Sequence, residues 1–545
     1  MKRIYVTMLI LSLVNISGVA AQMDTTTPVN ADTIVPSNFD INPDFQLMRM
    51  GLMTDSSDVI KGGGKYTLYG DIPNDDTAYN KRWSLWYPLA GGIVESILLN
   101  LTDELVLNYS WSKVNYYSWK RNLNAGPIWG NGWWWDEGRF GNGYLLHPIT
   151  GAADFNFARA SGYNFWASAP FVLVQSYAWK IFGENGKPER NSVIVTTLGG
   201  IGLGELLYRI SSNILDDRTT GTERFWRETL AFLADPARGV TRMLQGKTWR
   251  TTDREVYQKE PLTVGLMAGV RELNNGVNIG TGTVNPTINL QLDYGDPFED
   301  KSRKPFDLFK VRAECNFGVG RKIVDNLVGY GILTGTNRQY GTDLDVLYGL
   351  FLGYDYWDNN EFELGTQSVT AGIMTRWDLS KNNNLYTKLH FGIVPFAANS
   401  TVFTPDTSQF RDYDYCYGLQ SQFETTLNLG HYISFTIADY VYYLHTFNAP
   451  EPDSIAALGE LVSHDVQYPV NGNNLTDIFR PNITVTITGN LRITFEQMVY
   501  YTLDTSPDFP TIHRKQTQQR VFLTYNIKDY HKGERPDNAA KKTTN

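Results

Sequence analysis

The sequence predicts an α+β chain: an antiparallel transmembrane β-barrel of about twelve strands, preceded by an N-terminal helical domain. Three observations carry this reading. From about residue 262, apolar and polar residues alternate with period two, the mark of strands with one apolar and one polar face. The connections between these stretches alternate between near-bare reversals and long loops, as membrane barrels require. Between residues 88 and 246 the period is helical instead.

Taken in order, residues 1–21 read as a signal peptide: "MKR" is basic, "IYVTMLILSLV" is apolar, and "GVAAQ" offers a small-residue cleavage site before Gln22. The apolar run is too short to span a bilayer comfortably. The chain is therefore expected to be exported, with the outer membrane as its destination. Residues 22–79, rich in Thr, Asp, Asn and Pro, read as a loose leader.

The helical domain is expected over 80–255, with helices at 88–106, 155–183, 191–215 and 223–246. In "SVIVTTLGGIGLGELLYRISS", Gly200 and Gly204 lie one turn apart and offer a surface that a neighbouring backbone can approach. Glu205 and Arg209 form an i,i+4 pair in the favourable order. These charges, and Lys180 in the preceding apolar helix, argue against true spans. The two helices are expected to bury against each other in the barrel mouth, in the lumen or in a periplasmic layer.

The barrel is expected over 256–530, with strands at 262–272, 284–295, 306–317, 325–335, 341–357, 361–378, 383–396, 412–429, 431–446, 478–489, 491–503 and 517–530. Most are at least as long as the ~9–11 residues that a tilted strand needs to cross a bilayer. In "INLQLDY", Ile288, Leu290, Leu292 and Tyr294 oppose Asn289, Gln291 and Asp293. The same alternation turns Lys310, Arg312, Glu314, Lys388, Gln422 and Glu424 toward the lumen. "RVFLTYNIK" supplies the closing strand, with Val521, Leu523, Tyr525 and Ile527 toward lipid. Closure is required, because each orphaned backbone group in lipid costs several kcal/mol. The tail 531–545 is polar.

Composition narrows the function classes. A net charge of −9 argues against a nucleic-acid partner, and outer-membrane lipid is the expected one. Aromatics at 13%, with a mean hydropathy of −0.31, fit a barrel better than a helical membrane protein. Two cysteines, Cys315 and Cys416, exclude a disulfide scaffold and leave their own pairing open.

Motifs of known chemistry are missing from the sequence: there is no H-E-x-x-H and no G-x-S-x-G. "GKT" at 246–248 lacks the glycine that a phosphate loop needs at 241, where Thr241 stands. The seven histidines are scattered, so neither a metal nor a cofactor is expected. His147 lies close in sequence to Asp136, Asp154 and Arg159. One reading makes it a general base with Ser176 as nucleophile and Asp136 as the acid. The other makes Trp135, Asp136, His147, Arg159, Glu205 and Arg209 a structural or binding cluster that locks helices together. Trp133 to Trp135 suits an apolar–polar boundary, where the indole N–H stays solvated.

"WWWDEGRFGNGYLLHPITGAADFNFARASGYNFWASAPF", "TTLGGIGLGELLYRISSNILDD" and "DPARGVTRMLQGKTWR" resemble an uncharacterised family of Gram-negative outer-membrane proteins, domain of unknown function 3943. The resemblance covers roughly residues 80–250, with W-x-W-D, HP-x-x-G, A-R-x-x-G and T-x-G-G-x-x-x-G-E-x-x-x-R-x-S in order. It implies export and a helical region before a C-terminal barrel, and it implies no activity. The chain departs from the family pattern at Gly138, Thr150, Lys180 and Ser192, where polar or acidic groups otherwise stand.

Two function classes follow as expectations. The first is a barrel that binds or passes a small or lipidic molecule, or serves envelope structure, with helices occluding or supporting it. The second is an outer-membrane lipid hydrolase or acyltransferase using His147.

Overall fold

The computed structural model describes residues 82–527, apart from 131, 136–139, 254, 275, 319–322, 360–361, 401–412, 447–471 and 508–509. The signal peptide, leader and C-terminal tail read from the sequence lie outside the described residues. The chain divides into two units. The helical unit comprises the described residues up to Trp134 with Ala153–Glu189 and Leu207–Gln258. The barrel unit comprises Trp135–Ala152, Arg190–Leu206 and the described residues from Lys259 onward.

Twelve strands form the barrel: β1 (Leu262–Leu273), β2 (Thr283–Tyr294), β3 (Phe309–Asn316), β4 (Val324–Tyr340), β5 (Leu344–Asp358), β6 (Glu363–Asp378), β7 (Asn383–Asn399), β8 (Asp414–Leu429), β9 (Ile433–Thr446), β10 (Asn473–Thr488), β11 (Leu491–Thr505) and β12 (Ile512–Asn526). Each pairs antiparallel with its chain neighbours, and β1 pairs β12, with Val270 opposite Val521. No edge is left open, so the backbone groups of the wall are satisfied within it. The reversals at 430–432 and 489–490 are tight, and Gly430 takes the left-handed conformation that the first one needs (φ 60°). The strand expected from 306 begins at Phe309, because Phe306 is left-handed (φ 59°) and belongs to the preceding loop.

The alternation read from the sequence sorts the wall into two faces. Leu266, Val270, Ile288, Ile373, Phe391 and Leu523 point outward and are exposed. A continuous apolar exterior on strands this long fits a lipid surround. Inward residues fill the lumen. At one level Trp357, Val394, Tyr442, Leu444, Ile478 and Met498, from five different strands, pack into a single cluster. At another level ion pairs cross the interior. Lys310 on β3 reaches Glu424 on β8 at 3.3 Å, and Arg312 on β3 reaches Glu496 on β11 at 3.4 Å. Lys388 adds to Glu424, Arg480 to Glu496, and Arg520 to Glu314 at 2.6 Å. The charged residues expected in the lumen are there, and they are paired. Cys315 and Cys416 do not form a disulfide.

Among the described residues, seven α-helices precede the barrel: α1 (Trp86–Leu101), α2 (Tyr116–Leu123), α3 (His147–Ala160), α4 (Phe165–Phe182), α5 (Arg190–Ile214), α6 (Gly221–Ala234) and α7 (Pro236–Leu244). The helix expected over 155–183 is two helices. Gly162 turns left-handed between them (φ 93°), and Asn164 caps α4 by accepting from Ala167 N at 2.8 Å. The helix expected over 223–246 breaks at Asp235, which caps α7 through Arg238 N, with Pro236 at its first position. Helix α2, which the periodicity did not reveal, is capped by Asn115 and Ser118 in a capping box. α3 and α5 each begin in the barrel unit and end in the helical unit.

Candidate functional site

Within the barrel unit, Trp135 and parts of 140–152 and 190–206 meet the wall on its outward face. The parity is fixed by β5. Leu347, Phe351 and Asp355 point inward, and Asp355 accepts from Gln422 and Tyr442. Tyr348 and Leu350 are exposed outward, and Leu352, Tyr354 and Tyr356 continue their face. Register carries that face to Gly365 and Gln367 on β6, to Phe396 and Ala398 on β7, and to Tyr415 on β8. Of the two apolar helices expected to bury against each other in the barrel mouth, in the lumen or in a periplasmic layer, the stretch Arg190–Leu206 of α5 instead meets the outer wall. The lumen's own side chains already occupy the interior.

The seat is aromatic. Phe140 stacks on Tyr356 (centroids 5.2 Å apart, 13° between planes), and Tyr144 lies parallel to Phe396. Trp135 stacks on Tyr415 at 5.0 Å. Such pairs contribute about 0.5–1.5 kcal/mol each beyond area burial. Gly365 leaves room for the Tyr144 ring, which a Cβ there would strike. Two polar links fix the register: the Tyr354 hydroxyl donates to the Tyr144 carbonyl, and the Gln367 amide donates to the Val195 carbonyl at 3.1 Å. Farther along α5, Gly202 faces Leu352 and Phe306. The helix thus runs along the wall from Gln367 toward the middle of β5.

The residues singled out from sequence divide between the units. Trp135 is part of the seat. Asp136 lies outside the described residues. His147 opens α3, half-buried, with Nδ1 3.4 Å from the Thr196 hydroxyl. Glu205 is buried on α5 in the same unit as His147. Ser176, Arg159 and Arg209 belong to the helical unit. The Ser176 hydroxyl donates to the Leu173 carbonyl at 3.1 Å, a bond back into its own helix. Arg159 donates to the Tyr163 carbonyl at 2.8 Å and lies over the Tyr208 ring. Among the described residues no cluster of His, Cys, Asp and Glu could hold a metal ion.

Sequence reading missed two polar groupings inside the helical unit. The first joins Glu95 of α1, Asp154 of α3 and Gln175 of α4. Gly92 leaves the space that the Gln175 amide and the Asp154 carboxyl occupy. Burial pushes Asp154 well above the usual carboxylate range. Burial, and then the Asp154 charge, does the same to Glu95. Each of the two therefore favours its neutral form more than a free carboxyl does.

The second grouping centres on Asp217, which is fully buried. Its carboxylate accepts from Arg250 at 2.6 Å, Tyr257 at 2.8 Å and Arg242 at 3.0 Å, with Arg224 at 3.3 Å. Burial alone would raise this acid, but Arg242, Arg250 and Tyr257 outweigh it and hold it below the ordinary range. Lys247 lies beside this cluster. Burial first, and then Arg250, Arg242 and Arg238, draw its ammonium down to about 7.

Two helices of the helical unit also expose apolar residues. α1 buries Gly92 and Glu95 and exposes Ile93, Val94 and Ile97. α4 buries Phe171, Val172 and Ile181 together with Ser168, Gln175 and Lys180, and exposes Leu173, Val174 and Phe182. α1 is thus the reverse of a water-facing amphipathic helix, and α4 is apolar on both sides.

Fold and site together define a closed, twelve-stranded membrane barrel with a filled lumen, whose unit includes parts of two helices seated on the outer wall, and a separate helical unit. Residues 132–237 match the family model described as Domain of unknown function (DUF3943), and the chain carries that domain. No curated protein matches the chain. Solved structures similar to it include an outer-membrane channel from Pseudomonas putida F1 (9% identity, 50% of this chain and 97% of that one, TM-score 0.26). The NanC porin (8%, 48% and 98%, TM-score 0.23) and the Ralstonia pickettii toluene transporter TbuX (6%, 50% and 90%, TM-score 0.22) are similar to the same degree. At these scores no property of those channels is carried to this chain.

Proposed function

We propose that the protein resides in the outer membrane and binds a lipidic molecule through its helices, without conducting solutes through the barrel. The observation that carries this is the seat of Trp135, Phe140, Tyr144 and Val195 on the outward face of β5–β8, where a membrane barrel meets lipid. The exposed apolar faces of α1 and α4 support it. The ion pairs that cross the lumen from β3 to β8 and β11 argue against an open pore.

The test is solute flux into liposomes carrying the refolded full-length protein, beside a form lacking residues 23–255. Neither form is expected to conduct, and the full-length form is expected to retain lipid through purification in mild detergent. Flux from the full-length form would sink this reading in favour of a channel.

The hydrolase or acyltransferase reading rests on His147. Its Nδ1 lies 3.4 Å from the Thr196 hydroxyl in the barrel unit, while Ser176 belongs to the other unit. His147→Ala decides it. Loss of a lipid product with an intact barrel would favour the enzyme.

A further inference from the structure

We infer that the cationic cluster around Lys247 in the helical unit binds the phosphate of a lipid headgroup, an assignment that rests on the lipid-binding reading above. The cluster is assembled from three stretches of chain. Asp217 follows α5, Arg224 and Glu228 stand on α6, Arg238 and Arg242 stand on α7, and Lys247 and Arg250 follow α7. Five cations here share two carboxylates. Arg224, Arg242 and Arg250 converge on Asp217, and Arg224 and Arg242 also reach Glu228 at 2.9 and 2.7 Å. Arg238 is buried and held by uncharged acceptors: the Tyr208 carbonyl and the Ser211 and Ser212 hydroxyls. Adding the neighbouring Arg218 with Asp216 and Glu255, and Asp235, which accepts from Arg238 N, still leaves six cations facing five carboxylates among the described residues.

Positive charge is therefore in excess, and Lys247 carries the part that is open. Its backbone carbonyl accepts from Arg224 at 2.8 Å and from Arg242 at 3.3 Å, which ties it to the cluster. Its side chain is half-buried, and among the described residues its ammonium has no ion-pair partner. A half-buried ammonium beside fixed guanidinium groups is a poor arrangement in isolation and a good one around a dianion or diester.

The surroundings decide what kind of anion. Trp249 and Leu244 flank Lys247 in sequence and are 74% and 72% exposed. Phe225 and Trp226 follow Arg224 directly and are also exposed. Indole and aliphatic side chains around basic groups are the composition of a surface that sits at headgroup level, where cations reach phosphate and the rest meets acyl chain. A soluble phosphate would have no use for that rim.

The experiment uses the full-length protein in nanodiscs of zwitterionic lipid. Three probes are titrated by native mass spectrometry: dihexanoyl phosphatidic acid, dihexanoyl glycerol and inorganic phosphate. The phosphatidic acid is expected to bind most tightly, with inorganic phosphate at least tenfold weaker. Lys247→Gln is expected to weaken phosphatidic acid about fivefold to tenfold, and Lys247→Arg to restore it. Unchanged protease resistance of the helical unit, beside the resistance of the barrel to SDS without heating, checks that each variant is folded.

Equal binding of phosphatidic acid by the wild type and Lys247→Gln would overturn the assignment. So would inorganic phosphate binding as tightly as the lipid. If dihexanoyl glycerol binds as well as the phosphatidic acid and ignores Lys247, the helices bind lipid but this phosphate site is wrong. If neither lipid probe binds, the lipid-binding reading itself falls.

Discussion

Gly200 of α5 lies against the backbone of Gly151 of α3: a Cβ built on Gly200 would stand 2.5 Å from the Gly151 carbonyl carbon. Both residues belong to the barrel unit, and their contact lets two helices cross at backbone distance next to the wall. Gly200→Ala is expected to force them apart, at a cost of about 1–3 kcal/mol. The expected readout is faster protease cleavage in α3 and α5 while the barrel still resists SDS without heating. Unchanged cleavage would show that the crossing tolerates a methyl group.

Asp217→Asn removes the charge on which three arginines converge. Breaking a buried ion cluster on one side leaves cations without compensation, at a cost of about 3–5 kcal/mol. Tryptophan fluorescence during urea unfolding should show the helical unit melting at a lower midpoint. Acid should act similarly on the wild type. Asp217 is held below the ordinary carboxylate range, so its contribution is complete above the unfolded-state value and is lost as the pH falls through the lower, folded one. A variant within 1 kcal/mol of the wild type would contradict the geometry.

Glu95 and Asp154 titrate in the opposite sense. Both are raised by burial, so the fold prefers them neutral, and raising the pH toward and beyond their folded-state values weakens it. Glu95→Gln is expected to stabilise the helical unit at pH 8 and to make little difference at pH 5. Thermal melts at the two pH values test this. A loss of stability at pH 8 would mean that the charged form is the one the fold uses.

Glu424 receives both Lys310 and Lys388 inside the barrel. Glu424→Ala should lower the temperature at which the barrel loses its compact mobility on gels. The triple variant Lys310→Met, Lys388→Met, Glu424→Leu should recover most of that loss, because an apolar replacement of similar volume removes the desolvation cost along with the attraction. Failure of the triple variant to recover would assign the bridge a role beyond charge balance.

The barrel was legible because its alternation is one-sided: Lys310, Arg312 and Glu314 can only face inward once Val311 and Ala313 face lipid. All twelve strands lie within a few residues of their expected limits. The seat was not legible, for the same reason. Tyr354, Tyr356 and Phe396 are outward residues, and an outward aromatic reads alike whether lipid or a helix covers it. Gly365 and Gln367 broke the apolar pattern on that face, and they were the available signal. The Asp217 cluster was hidden by distance along the chain, since Arg224, Arg242, Arg250 and Tyr257 share no motif spacing with it. The helix breaks at Gly162 and Asp235–Pro236 were readable from turn chemistry, but helical periodicity on either side ran across them.

The seam that shuts the barrel and the seat on its outer face are both closed by contacts that span much of the chain. The seam sets Gly265 beside Asn526, on the first strand and the last. The seat joins Tyr354 to Tyr144, 210 residues away along the chain, and Gln367 to Val195, 172 residues away. Contacts of such span form late, because loop closure must be met before they contribute. Where Tyr144 and Val195 cover β5 and β6 the wall has a protein neighbour in place of an acyl chain, so the lipid annulus around this barrel is asymmetric.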